Sequence, residues 1–163
     1  MKIVKWSQKG YGICFTASFK IIPLLLLLVA GCASHNRNDT LFDTYSLYAD
    51  KVQERDYQYV LEELLTRSMR SRDLKSSSDF PDYFPILSDL PNILVNYEKH
   101  FEMRDGNFGC LTLNGFDRFD RPAVIKMEFG KEQERWKLDY VAVDYLDSPA
   151  DFKNSVVCPK RRS

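Results

Sequence analysis

The sequence predicts an α+β domain in which two N-terminal helices pack on a curved antiparallel sheet of about four strands. Three observations carry this reading. Apolar side chains recur at helical spacing between Leu41 and Met69, and from Asn92 the period shortens to two. Between these stretches lies a segment rich in proline and serine. The chain has 163 residues, and once 1–40 are set apart, 41–158 suffice for one modest core.

The segment set apart has three parts. Lysines are spread up to Lys20, Ile21 to Ala30 is apolar, and the small pair Ala30-Gly31 precedes Cys32. A helix over residues 21–30 would reach about 15 Å, roughly half of a bilayer's hydrocarbon core, which suits a secretory signal better than a permanent span. Val29-Ala30-Gly31-Cys32 resembles the lipobox of bacterial lipoproteins. That resemblance implies that the Cys32 thiol is diacylglycerated, that the chain is cut just before it, and that the new amino terminus is acylated. Residues 1–31 would then be a signal peptide and 32–40 the lipidated cysteine with a polar tether. Lipidation on this scale holds a protein to a membrane durably, so the expected place is the cell envelope. Ala33, standing where aspartate commonly marks inner-membrane retention, implies the outer membrane facing the periplasm in a Gram-negative host.

Removing the leader changes two totals. Lysines and arginines number 23, as do acids, but Lys2, Lys5, Lys9 and Lys20 all precede Cys32, where there is no acid. The rest is therefore acidic by those four charges, and its one basic cluster is the tail at 159–163. Nucleic acid is not an expected partner, since phosphate recognition needs a basic face. Of the four cysteines, Cys14 leaves with the signal and Cys32 takes lipid, so Cys110 and Cys158 remain and are expected to pair; two unbridged thiols are the alternative. His35 and His100 show no ligand spacing with them, so neither metal nor cofactor is predicted.

In the body, Leu41, Tyr45, Tyr48 and Val52 predict a first helix, capped by Asp39 or Thr40. After a break at Gln53 to Asp56, Tyr57, Val60, Leu61, Leu64, Leu65 and Met69 predict a second. Residues 71–92 contain three prolines and a serine run, and predict a long loop with at most one short helix around Tyr83 to Asp89. Phe80, Tyr83 and Phe84 have core spacing, although beside those prolines they would also suit an exposed partner-binding loop.

The first strand is predicted from Asn92, with Tyr97, Phe101 and Met103 on one face and Glu98, His100, Glu102 and Arg104 on the other. Asp105-Gly106-Asn107 turns the chain, and Phe108 to Phe116 returns with Leu111 and Leu113 opposite Cys110 and Thr112. After the turn Asp117 to Pro122, Ala123 to Phe129 alternates again. Arg135 to Leu146 forms the last strand, its even face reading Trp136, Leu138, Tyr140, Ala142 and Asp144.

The helical pair broken at Arg55-Asp56-Tyr57, followed by a meander containing Trp136-Lys137-Leu138-Asp139, resembles the NTF2-like (cystatin-like, SnoaL-type) superfamily over residues 41–146. The resemblance implies a sheet curled into a cone whose mouth can hold a ligand, and it covers isomerases, dehydratases and non-catalytic proteins alike. Its isomerases use a buried carboxylate base with a tyrosine or protonated acid as oxyanion donor. Lys99 and Asp144 are the charges that interrupt apolar strand faces, so with Tyr97 and Tyr140 they are the candidate pocket residues. At a sheet edge and a strand end they would instead be solvated. Asp117 and Asp120 sit among Arg118 and Arg121 and read as surface ion pairs, and His100 reads as exposed.

No nucleophile-elbow, phosphate-loop or HExxH pattern is present, and no catalytic residue is assigned. The expected function is that of an envelope lipoprotein with a non-catalytic domain binding an envelope protein. The alternatives are a small-molecule binder or isomerase-like enzyme using the cone, and an immunity or inhibitor lipoprotein.

Overall fold

In the computed structural model, residues 40–70 and 76–159 are described. The signal peptide, Cys32, most of the tether and 160–163 of the basic tail lie outside them.

Thr40 starts the first helix because its hydroxyl accepts the Asp43 N–H at 2.9 Å. Helix α1 (Leu41–Gln53) buries Leu41, Tyr45, Tyr48 and Val52, the stripe its sequence predicts. Arg55, at φ 60°, turns the chain back. Helix α2 (Tyr57–Tyr59), capped by the Asp56 carboxylate, runs on as a wider turn over Val60–Leu64 that closes with the Leu65 N–H on the Val60 carbonyl. The second helix does not reach Met69. Leu65 is extended and forms a parallel bridge to Leu138, after which α3 (Arg67–Arg70) is a separate turn.

The expected long loop holds three helical pieces instead: a short turn at Ser77–Asp79, then α4 (Phe80–Tyr83) and α5 (Pro85–Ile93). Pro81 and Pro85 occupy first-turn positions, where an amide N–H has no helical partner to lose. Pro91 lies inside α5 and withholds the N–H that would reach the Leu87 carbonyl. The buried Tyr48 hydroxyl donates to that carbonyl at 2.7 Å in its place.

Four antiparallel strands follow as an open meander in the order β1-β2-β3-β4. They are β1 (Asn96–Asp105), β2 (Phe108–Phe116), β3 (Pro122–Glu132) and β4 (Arg135–Tyr145). Gly106, at φ 58°, makes the first turn, and Gln133 and Glu134 make the last with both φ positive. The α+β class and the strand count match the sequence reading. The face assignments hold for β2 and β3 but not along the whole of β1 and β4, because each edge strand carries a one-residue register shift that exchanges its two faces.

In β1 the shift lies between Tyr97 and Lys99, where a Cβ on the neighbouring Gly115 would stand 2.2 Å from the Asn96 carbonyl oxygen. His100 and Glu102 therefore turn toward the helices, and Phe101 and Met103 turn away. Glu102 accepts the Leu41 and Phe42 N–H groups at 2.9 and 3.3 Å, and the Phe42 ring stacks on His100 at 4.2 Å. In β4 the shift falls at Asp139, so the helix face reads Trp136, Leu138, Val141 and Val143. Tyr140, Ala142 and Asp144 pass to the outer face.

Leu111, Leu113, Ile125, Met127 and Phe129 meet Tyr45, Tyr48, Leu64, Phe80 and Leu90 in one continuous core. Phe80 and Phe84 belong to this core, which corrects the idea of an exposed aromatic loop; Tyr83 alone of the three is exposed. On the outer face the segment after β4 crosses β2 as a strap. Cys110 is bonded to Cys158, with S–S 2.09 Å and Cα–Cα 5.3 Å. The Thr112 hydroxyl accepts the Val157 N–H at 2.8 Å and donates to its carbonyl. Asn114 exchanges two hydrogen bonds with the Lys153 backbone at 2.8 and 3.0 Å. These three β2 side chains, two residues apart, do for the strap what a strand edge would do.

Candidate functional site: a groove on the β4 edge

Strand β4 is an edge strand that the described residues cover only in part. Over its first half, the Thr66 N–H donates to the Leu138 carbonyl at 3.0 Å, and the Thr66 and Ser68 hydroxyls donate to Asp139. The buried Lys137 ammonium donates to the Glu62 carbonyl at 2.6 Å. Burial, aided by Arg70, lowers the Lys137 pKa. Beyond Asp139, no described segment pairs with the outer edge of β4.

The parity of that free half follows from one hydrogen bond. The Leu146 N–H donates to the Pro122 carbonyl at 2.8 Å, so Tyr140, Ala142 and Asp144 point their amides at β3. Val141, Val143 and Tyr145 point theirs outward. Along this edge runs a groove of about 1100 Å³. Pro85, Ile86, Asp89 and Ile93 of α5 form one wall, and Val157 and Cys158 of the strap form the other. Ile86 is 61% exposed and Tyr145 56%, and Lys126 pairs with Asp144 at 2.5 Å.

A smaller hollow of about 330 Å³ adjoins it at the β2–β3 turn. Buried Asp117 organises this turn, accepting the Phe119 and Arg121 N–H groups at 2.8 and 2.9 Å and the Arg121 Nε at 2.8 Å. Desolvation would raise its pKa, but the Arg121 backbone N–H and guanidinium together with the Phe119 N–H outweigh it and hold the carboxyl below its ordinary value. Asp117 thus pairs with Arg121, as expected, at 2.7 Å, but as a buried carboxylate that is also the framework of the turn. Phe119 projects from the turn, 62% exposed, with the Arg118 and Arg121 guanidinium carbons 4.8 and 5.4 Å from its ring centre. Arg121 also lies 4.9 Å over Tyr145.

The four predicted pocket residues do not meet. Tyr97 and Lys99 are on β1, Tyr140 and Asp144 on β4, at opposite edges of an open sheet and about 14 Å apart by strand spacing. Core side chains fill the helix side between them. The Tyr97 hydroxyl is 3.0 Å from that of Tyr45, whose pKa is raised by burial and then by this bond. Lys99 is exposed beside the strap, whereas Tyr140 and Asp144 line the groove. His100 is exposed, as expected, with its ring on Phe42.

Comparison with known protein families, curated proteins and solved structures gave no match. Among the described residues, no three His, Cys, Asp or Glu side chains are grouped to hold a metal, and no helix is long and apolar enough to cross a membrane. Sequence reasoning missed Ile86, Lys126 and Tyr145 as groove residues and Phe119 as a projecting group. For Phe119 a signal exists, since an aromatic flanked by arginines in a turn has no strand face to fill.

Proposed function

We propose that this chain is an exported lipoprotein, anchored through acylated Cys32, whose 41–158 domain is a non-catalytic module that binds an envelope protein. One observation carries the binding role: Phe119 stands exposed between two arginines on a turn that Asp117 holds fixed. Aromatic and arginine side chains dominate the energetics of protein interfaces, and a pre-ordered turn loses little entropy on binding. Kinship with the NTF2-like superfamily remains part of this reading, supported by the helical break at Glu54 to Asp56 and the four-strand meander. That kinship contributes a scaffold here, because apolar side chains fill the cone interior it implies. Location at the outer membrane rests on Ala33 and a Gram-negative host.

Two experiments test the proposal. Radioactive palmitate should label the wild type and not Cys32→Ser; equal labelling of both would remove the anchor. A photo-crosslinking amino acid at Phe119 in intact cells should give one adduct of constant mass, absent when the same group replaces Arg104. Equal adducts at both positions, or none at 119, would remove the binding role.

A further inference from the structure

We propose that two copies of this chain join edge to edge through the free half of β4, with Val143 on the two-fold axis, to make a continuous eight-stranded sheet. The inference is independent of the Phe119 contact, which lies on the adjoining turn.

The hydrogen-bonding groups select this arrangement. Val141, Val143 and Tyr145 each direct one N–H and one carbonyl outward. An odd number of such residues places the middle one on the axis. Val143 then exchanges two bonds with the partner's Val143, and Val141 and Tyr145 exchange two each with the partner's Tyr145 and Val141. All the outward groups on both copies are satisfied, and the contact is isologous, so it closes at two.

Side chains agree with that register. On the helix side, Val141 meets the partner's Tyr145 and the two Val143 side chains meet each other, all apolar. On the outer side, Asp144 falls opposite the partner's Ala142, beyond which lies the partner's Lys126 in register. Lys126 already reaches Asp144 of its own chain at 2.5 Å. Across the small Ala142 it also faces the partner's Asp144, so two lysines and two aspartates close a neutral ring around the alanine pair. This charge complementarity fits a second copy in particular, since any other strand would have to bring its own acid to that position.

The opposite edge is defended and this one is not. Along β1, Glu98, Lys99, Glu102 and Arg104 and a register shift discourage pairing. Between Tyr140 and Tyr145, β4 carries Asp144 as its one charge, and Lys126 neutralises it. Ile86 of α5, exposed at the groove wall, would face the same helix in the partner.

The test uses the full chain in membranes and after detergent extraction. Val143→Cys should form a covalent dimer under mild oxidation, because paired Cα atoms about 5.5 Å apart lie within disulfide range, while Arg104→Cys on the β1 edge should not. The extracted wild type should sediment at twice the chain mass. Asp144→Lys should weaken the dimer at least about tenfold by setting like charges around Ala142, and Lys126→Asp combined with Asp144→Lys should restore it. A monomer mass for the wild type, with no disulfide adduct formed by the Val143→Cys variant, would overturn the proposal, as would an adduct to a different protein. So would a charge-swapped double variant no tighter than the single one, if circular dichroism shows both folded.

Discussion

The bond between Tyr48 and the Leu87 carbonyl can be tested against its stated cause, the proline at position 91. Tyr48→Phe keeps the ring in the core and removes only the hydroxyl. Tyr48 is 1% exposed, so water does not take the place of that donor. The Leu87 carbonyl, which has no helical donor because Pro91 lacks an N–H, is left bare. A buried carbonyl without a partner costs about 1–3 kcal/mol. For a domain of this size that lowers the melting temperature by roughly 3–6 °C per kcal/mol. The decisive measurement is a double-mutant cycle in urea at pH 7. Pro91→Ala supplies an N–H four residues on, so in that background Tyr48→Phe should cost less than half as much. An equal cost in both backgrounds would refute the link between the tyrosine and the proline.

Other perturbations act at separate points of the fold. Changing both Cys110 and Cys158 to Ser opens a loop with a sequence separation of 48, and should destabilise the domain by about 4 kcal/mol in urea titrations. Asp117 has a folded pKa below its unfolded one, so its contribution is present above the unfolded value of about 4 and is lost as pH falls through the lower folded value. The difference in urea midpoint between wild type and Asp117→Asn should therefore shrink from pH 7 toward pH 3; a constant difference would contradict this. Glu102→Ala removes the acceptor for two N–H groups at the start of α1, and should cost about 1 kcal/mol with faster amide exchange at Leu41 and Phe42.

How much of this is legible depends on whether the signal is local. The strand count and order follow from four alternating runs separated by turn residues, and α1 follows from a four-residue stripe with Thr40 ahead of it. Residues 71–92 read as a loop with at most one short helix around Tyr83 to Asp89 because proline normally signals a break. At Pro81 and Pro85 it occupies a first turn, and at Pro91 a donor 43 positions earlier in the chain compensates, which no local pattern reveals. The candidate pocket fails for a different reason. A period of two carries each strand face straight on, whereas one extra residue at Glu98 and at Asp139 exchanges the faces beyond it. The groove is not legible at all, since α5, β4 and the strap come together only in the folded chain.

Those two irregularities also account for the difference between the sheet's edges. At Glu98 the shift lets β1 offer Glu102 to the start of α1 while Lys99 and Phe101 face outward, so the edge is spent on capping a helix and is lined with charge. At Asp139 the shift comes where Thr66 and Ser68 reach the same carboxylate, and there the covering segment leaves the sheet. From that residue on, β4 runs regularly to Tyr145 with its apolar side chains inward and its paired charge outward. Without the extra residue, Tyr140 and Ala142 would face Met127 and Ile125 in the core, and Asp144 would take the helix-face place opposite Ala123 that Tyr145 now holds, away from Lys126. The shift that spoils the simple reading of the strand therefore puts Val141 and Val143 into the core in place of Tyr140 and Ala142, keeps Asp144 on the outer face with Lys126, and leaves Val141, Val143 and Tyr145 with their backbone groups facing outward.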